Sequence, residues 1–430
     1  MRHYAGIATG LGLACILLLL AAPSEGAAAK KKTKRPPARP VPAVSASLRA
    51  ASLRKVTDYL EDPPEKSFAQ PGALVPVFEQ LLRLNSQDPA GAVHMIHFGD
   101  SHTAADDFTG GMRDSLKARF GDGGSGFSLA GHPFLGYRRF DVRGGGTQGW
   151  QSEGLRTGSG DGFFGLGGVS IATQHAGQSV YIETECDSLE IDYLQQPGGG
   201  SLALYDYDQR LEEFSTDGEL GPGFVHYHST AGPHRFSLRT LQSRPVRLFG
   251  WVADKERGVT YEALGINGAE AGLILRWDEA MLATYLQRRS PGLIVLAYGT
   301  NEASDPVWSP ETYQAMFSTL LQRLRHAAPT ASILVLGPAD RWYRSRPYPG
   351  IDWVIAAQKA ACRENGCAYW DTRARMGGKG TMRDWVYAGL AQGDYVHFTS
   401  AGYRRLASVL FGDLIRQYDA YKKTRLEIGN

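Results

Sequence analysis

Ala92-Val93-His94-Met95-Ile96-His97-Phe98-Gly99-Asp100-Ser101-His102 decides the fold. Its first seven residues form a short apolar-rich run that stops at a glycine, the pattern of a buried strand. Helical character follows from Asp106 to Phe120, with Phe108, Met112, Leu116 and Phe120 at fourfold spacing. Working outward, Leu293–Ala297 and 333–336 read as two more buried strands. Residues 310–327 read as a helix with Pro310 at its first position and Tyr313, Phe317, Leu320, Leu321 and Leu324 on one face. A helix over 351–364, a short strand at Ala368–Trp370 and a closing helix from Ser400 to about Tyr418 complete the series. Strands alternating with helices imply a parallel sheet covered on both faces, an α/β fold.

The alternation stops between about Gly126 and Ala253. That segment is glycine-rich and carries strand-like runs at 179–184, 188–193, 201–205, 234–238 and 246–251, with turn signals such as Pro197-Gly198-Gly199-Gly200 between them. We expect an inserted all-β module, sandwich or jelly-roll-like, over 126–253. It splits an α/β domain into 46–125 and 254–430.

The N-terminus reads as an address. Arg2 precedes an apolar run from Ile7 to Ala22, and small residues follow from Ala21 to Ala29. This order favours a cleaved secretory signal over 1–29 against an uncleaved membrane anchor. Cys15 lies inside the run, not at its end, which argues against lipidation. Residues 30–45 read as a basic, proline-rich spacer with little to bury. The chain is therefore expected to be exported, to the periplasm or cell envelope, with a membrane tether only if the signal stays attached.

The 430 residues are 43% hydrophobic and 21% charged, a globular composition. The formal charge is +2; without the seven basic residues and one acid of the first 40 positions, 39 basic and 43 acidic residues remain, a net of −4. A mildly acidic body argues against a nucleic-acid binder. Four cysteines exclude a cystine-stapled scaffold. An oxidising compartment would allow Cys362 and Cys367 to pair, but spacing alone does not decide it, and Cys186 has no obvious partner.

Three motifs stand at strand ends. Gly99-Asp100-Ser101-His102 places a serine on the turn after the first strand, where open α/β sheets bind ligands. Gly299-Thr300-Asn301-Glu302 follows the 293–297 strand, and an asparagine amide there can donate to a developing oxyanion. Asp394-Tyr395-Val396-His397 carries the only one of eleven histidines with an aspartate three positions earlier, a spacing that sets a carboxylate against an imidazole. Taken singly, these read as a helix N-cap, an Asx-turn and a surface ion pair. Together they fall on one side of one sheet.

The ordered set resembles the SGNH (GDSL) hydrolases. The resemblance matches Ser101 to the nucleophile, Asn301 to the oxyanion asparagine, and Asp394 and His397 to the Asp-x-x-His block. The glycine block is matched by Gly265-Ile266-Asn267-Gly268-Ala269 after a candidate strand at 261–264, with Gly268 donating to the oxyanion and Gly265 as the weaker choice. It implies a three-layer α/β/α, flavodoxin-like domain over about 90–125 and 255–420. It also implies a Ser101–His397–Asp394 triad, an oxyanion hole from Ser101, Gly268 and Asn301, and no metal or organic cofactor.

Two departures narrow the subgroup. No leucine follows Ser101, and about 130 residues separate the first two blocks. With Gly-Thr-Asn-Glu-Ala, these features are similar to bacterial peptidoglycan O-acetylesterases, whose inserted module resembles carbohydrate-binding modules. The resemblance implies an esterase acting on an O-acetylated polysaccharide, peptidoglycan foremost. An O-acetyltransferase using the same triad and a non-catalytic glycan-binding protein are the alternatives.

The remaining candidates have plain readings. His94 and His97 point to opposite strand faces, which disfavours a shared metal. His226 and His228 share a face but form an incomplete site. His102 is taken as structural, Asp206 and Asp208 as a solvated turn. Asp340-Arg341-Trp342 is read as either capping or substrate contact. Trp150, Trp251, Trp308 and Trp385 are the aromatics whose exposure would bear on sugar stacking.

Overall fold

The computed structural model describes residues 43–61, 68–86, 91–154 and 160–429, all within one unit. The expected signal over 1–29 and all but the last three residues of the expected spacer lie outside them. Among the described residues, no helix is long and apolar enough to cross a membrane.

Six strands build the first sheet: β1 (Phe68–Ala69), β2 (Ala92–Gly99), β3 (Gly258–Gly265), β4 (Leu293–Ala297), β5 (Ser332–Leu336) and β6 (Ala368–Trp370). Their order is β1-β6-β5-β4-β2-β3, parallel except for the antiparallel edge strand β1. Alternate side chains go to opposite faces. Ile96, Phe98, Ile294 and Leu296 pack under helices Glu279–Arg289, Pro310–Ala327 and Gly350–Glu364. Val93, Met95, Leu293 and Val295 pack under helices Val75–Asn85, Asp107–Phe120 and Ser400–Gly429. Both faces are covered, so the central strands read as continuous apolar runs.

Register puts the motifs at one level. Gly99 pairs with Gly265 on one side and with Ala297 on the other. The chain leaves all three strands at the same edge of the sheet. That is why blocks separated by up to two hundred positions emerge together.

The insertion forms a second, antiparallel sheet of nine strands, between Gly124–Leu129 and Val246–Asp254. Its spine is two long strands, Ser179–Gln195 and Gly221–Thr240, paired along almost their whole length with an irregularity between His228 and Gly232. The runs expected at 179–184 and 188–193 are therefore one strand, and 234–238 is the end of another. The insertion has its own core around Ile182, Ile191, Leu204 and Phe236. It also shares one with the α/β part, where Phe127, Leu129, Phe164 and Phe249 join Ile96 and Leu264.

A buried ion network adds a polar tie. Asp106 accepts from Arg113 Nη2 at 2.8 Å and from the Phe140 amide at 2.6 Å, while Arg113 also reaches Asp141 at 3.2 Å. Cys362 and Cys367 do not pair: Cys186, Cys362 and Cys367 are all free and buried. Trp251 and Trp385 are core residues, at 1% and 0% exposure, so neither offers a ring to a sugar. Trp150 and Trp308 are half-buried.

Candidate active site

Ser101 opens a one-turn helix, Ser101–Ala104, directly beyond β2. Asp100 caps it: its Oδ1 accepts from the His102 amide at 2.9 Å, and its carbonyl accepts from the Thr103 and Ala104 amides. The Ser101 N–H stands outside that set. Gly265 lets the turn approach β3, because a Cβ there would lie 2.2 Å from the Ala104 nitrogen. Its role is close packing, whereas Gly268 takes a left-handed conformation, φ 71°, in the loop beyond.

Ser101 Oγ lies 2.9 Å from His397 Nε2, and His397 Nδ1 lies 2.8 Å from Asp394 Oδ2. The second carboxylate oxygen of Asp394 accepts from the Val396 and His397 amides at 2.9 and 3.0 Å. Tyr395, at φ 60°, makes the tight turn that brings residue 397 back over residue 394. Burial opposes ionisation of Asp394, but the His397 side chain and these two amides outweigh it and hold the carboxyl at about 2. It is a carboxylate at any physiological pH.

The Asn301 side chain donates to the Ala269 carbonyl at 2.8 Å, which ties the third block to the Gly268 loop. A primary amide has two N–H groups, so one remains for another acceptor. Glu302, fully buried, braces the same corner: Oε1 accepts from the Ala271 amide at 2.8 Å and Oε2 from the Gly299 amide at 3.0 Å. Burial pushes its carboxyl up to about 8. Sequence reasoning quoted Glu302 without giving it a task. Its place directly after the asparagine was the available signal.

His102 is part of the wall behind the triad. Its ring faces that of His397 with centroids 5.1 Å apart, and its Nδ1 bonds the Tyr403 hydroxyl at 2.8 Å. Burial drives its basicity down to about 3, so it stays neutral beside His397. Under the turn, a cavity of about 60 Å³ is bordered by His97, Asp100, His102, Thr103, Tyr298 and Tyr403. Burial raises Asp100 there from 3.8 to about 6.

Other candidates fall away from this centre. His97 bonds Tyr261 at 2.8 Å and His94 bonds Thr260 at 3.1 Å, on opposite faces of β2 as expected. Asp206 accepts from His234 at 2.7 Å, and His226 and His228 are exposed with rings 4.4 Å apart. Asp340 accepts the Gly380 and Met382 amides at 3.0 and 2.9 Å, a capping task. Arg341 donates to the Thr300 carbonyl at 2.9 Å, beside Asn301. Among the described residues, no group of three or more histidine, cysteine or acidic side chains could hold a metal ion.

A hydroxyl, an imidazole and a carboxylate in hydrogen-bonded series, at the carboxyl edge of a parallel sheet, is an acyl-transfer arrangement. The GDSL-like lipase/acylhydrolase family model matches residues 229–405, which hold the glycine, Asn301 and Asp394–His397 blocks. The chain has the SGNH/GDSL hydrolase fold. Among solved structures, a peptidoglycan O-acetylesterase has the same fold as this chain. It matches with a TM-score of 0.70 at 24% identity, covering 80% of this chain and 96% of that one. That coverage exceeds the share of the chain outside the insertion, so at least part of the inserted sheet belongs to the shared fold. A family two carbohydrate esterase from Cellvibrio japonicus matches at a TM-score of 0.29 and 10% identity, over 65% of this chain and 98% of that one. No curated protein matches this chain by sequence.

Proposed function

We propose that the chain is an exported serine esterase that removes O-acetyl groups from a cell-envelope glycan, peptidoglycan foremost. The observation that carries the reading is the unbroken series Ser101–His397–Asp394, at 2.9 and 2.8 Å. The peptidoglycan assignment draws on the O-acetylesterase that shares the fold.

In this reading Ser101 Oγ attacks the acetyl carbonyl carbon while His397 Nε2 takes the hydroxyl proton. Asp394 holds the Nδ1–H and stabilises the imidazolium. The carbonyl oxygen becomes an oxyanion held by the Ser101 and Gly268 amides and the free N–H of Asn301. Collapse breaks the bond to the glycan oxygen, which leaves with the proton from His397, and acetyl-Ser101 remains. Water, deprotonated by His397, attacks the acyl carbon; acetate leaves and the Ser101 hydroxyl is restored. Each step is proton transfer and acyl exchange, which these side chains supply without a cofactor.

The test is product analysis on isolated, acetylated cell-wall glycan beside other acetylated polysaccharides. The reading expects free acetate, fastest from peptidoglycan, and none with Ser101→Ala. Faster release from another polysaccharide would reject the substrate. Acetyl groups appearing on an added glycan, with little free acetate, would make the protein a transferase.

A further inference from the structure

We propose that a second cleft, far from Ser101, binds an organic ammonium group with Asp192 as its counter-ion. The cleft, about 350 Å³, lies between the inserted sheet and the helix Glu279–Arg289. His94 borders it, near the start of β2. Seven residues of strand and turn separate His94 from Ser101, about 20 Å at ~3.3 Å per residue.

The charges of the cleft do not balance. Arg288 is satisfied by Glu190, with Nε 2.8 Å from Oε1 and Nη2 on Oε2. Arg289 is satisfied by Asp254, with Nη2 2.9 Å from Oδ1, and by Glu262, 2.7 Å from Nε. Asp192 is left over. It is 2% exposed, it lines the cleft, and its Oδ1 has no partner. A lone carboxylate out of water is costly unless it takes up a proton or a cation. Burial first, then the charge of Glu190 two residues away, holds its pKa well above the usual carboxylate range against the pull of Arg288 and Arg289.

Two observations select the cation. A hard divalent ion wants six or more oxygen ligands, yet Glu190 and Asp254 are committed to arginines, and the described residues hold no metal-binding group of three. The volume instead suits a small organic molecule such as one sugar ring. An ammonium offers three N–H donors. Ser188 and Asp192 lie on one face of their strand and both line the cleft, so a hydroxyl and a carboxylate oxygen face it together.

Binding exchanges one cation for another. The neutral Asp192 acid gives up its proton, and the resulting carboxylate pairs with the ammonium. Of the other titratable groups facing it, His94 on β2 is held neutral, its basicity driven down to about 3 by burial and by Arg289. Tyr285 keeps its proton and donates to the Tyr193 carbonyl at 3.1 Å. His226, exposed on the Gly221–Thr240 strand, stands at the border.

The proposal does not depend on the esterase reading. Its test is isothermal titration of the full chain with glucosamine and with N-acetylglucosamine, which differ in the ammonium. The titrations are run in two buffers of different ionisation heat. We expect glucosamine to bind at least about tenfold tighter than its acetylated counterpart, to release protons to the buffer, and to lose that preference in Asp192→Asn. No glucosamine binding, equal binding of the two sugars, or an unchanged preference in a cooperatively melting Asp192→Asn would overturn it. If that variant does not fold, the wild-type pair decides alone, and heat independent of buffer rejects the exchange.

Discussion

Asn301 reaches across the site to hold Ala269: its side-chain nitrogen donates to that carbonyl at 2.8 Å. The bond fixes the amide plane and leaves a second N–H directed by the same geometry. Asn301→Ala should therefore lower kcat on an aryl acetate by roughly 10²–10³ with a smaller change in KM, the cost of one oxyanion donor. Steady-state kinetics checks this. A loss confined to KM would place Asn301 in ground-state binding instead.

Asp394 makes three bonds, two to amides and one to the imidazole. Asp394→Asn can retain an acceptor for the amides, but its replacement group supplies no charge to the imidazolium. We expect kcat to fall by roughly 10³–10⁴ while the thermal midpoint changes little. A variant that unfolds early would show a structural role in place of a catalytic one.

Asp100 gives a stability prediction with a definite sign. Its carboxyl titrates near 6 in the folded chain against an ordinary 3.8, because it is buried. A raised acid favours folding below its unfolded value and loses that benefit as pH rises through the folded one. The gap is worth about 3 kcal/mol. Asp100→Asn keeps an acceptor for the His102 amide and never ionises. Urea unfolding should find it more stable than wild type above pH ~7 by up to about 3 kcal/mol, with the advantage gone near pH ~4. The same difference at both pH values would contradict the buried-carboxylate account.

Gly265 is a packing glycine in this structure. A methyl group there would meet the Ala104 nitrogen at 2.2 Å and the Thr103 carbonyl carbon at 2.7 Å, both backbone atoms that cannot step aside. Gly265→Ala should cost roughly 1–3 kcal/mol or more, as overpacking does, and displace the Ser101 turn. Denaturant midpoints check this. A fully stable, active variant would show that the turn does not depend on this approach.

The parts of the fold that could be read directly were those where one local pattern met one environment. Leu293–Ala297 is buried on both faces, so its apolar run was unambiguous. Helix Pro310–Ala327 has a proline at its start, a Ser309–Thr312 capping box and a single buried stripe. Helix Ala46–Glu61 escaped notice because it buries only Ser52 and Val56 and so has no stripe. Val75–Asn85 did carry one, Val77, Phe78, Leu81 and Leu84, within a region the reading left without elements.

The long strands of the insertion were read as fragments. Gly232 and Pro233 look like turn signals, yet pairing with Cys186 and Glu185 across the sheet overrides them. The triad was legible because short motifs carry its side chains, though only Ser101 follows a strand as expected; Asp394 and His397 lie in the loop between helices Met382–Tyr387 and Ser400–Gly429. Glu302 and Asp192 were not, since their roles come from burial and from neighbours far along the chain.

The claim at the centre is that Ser101 becomes covalently acylated. Rapid acid quenching during turnover of an aryl acetate, followed by intact-mass and peptide analysis, tests it most directly. The account predicts one added acetyl group, on the peptide containing Ser101, that accumulates in the wild type and is missing from Ser101→Ala. Turnover persisting in Ser101→Ala, or an acetyl adduct on another residue that turns over at the rate of acetate release, would contradict it.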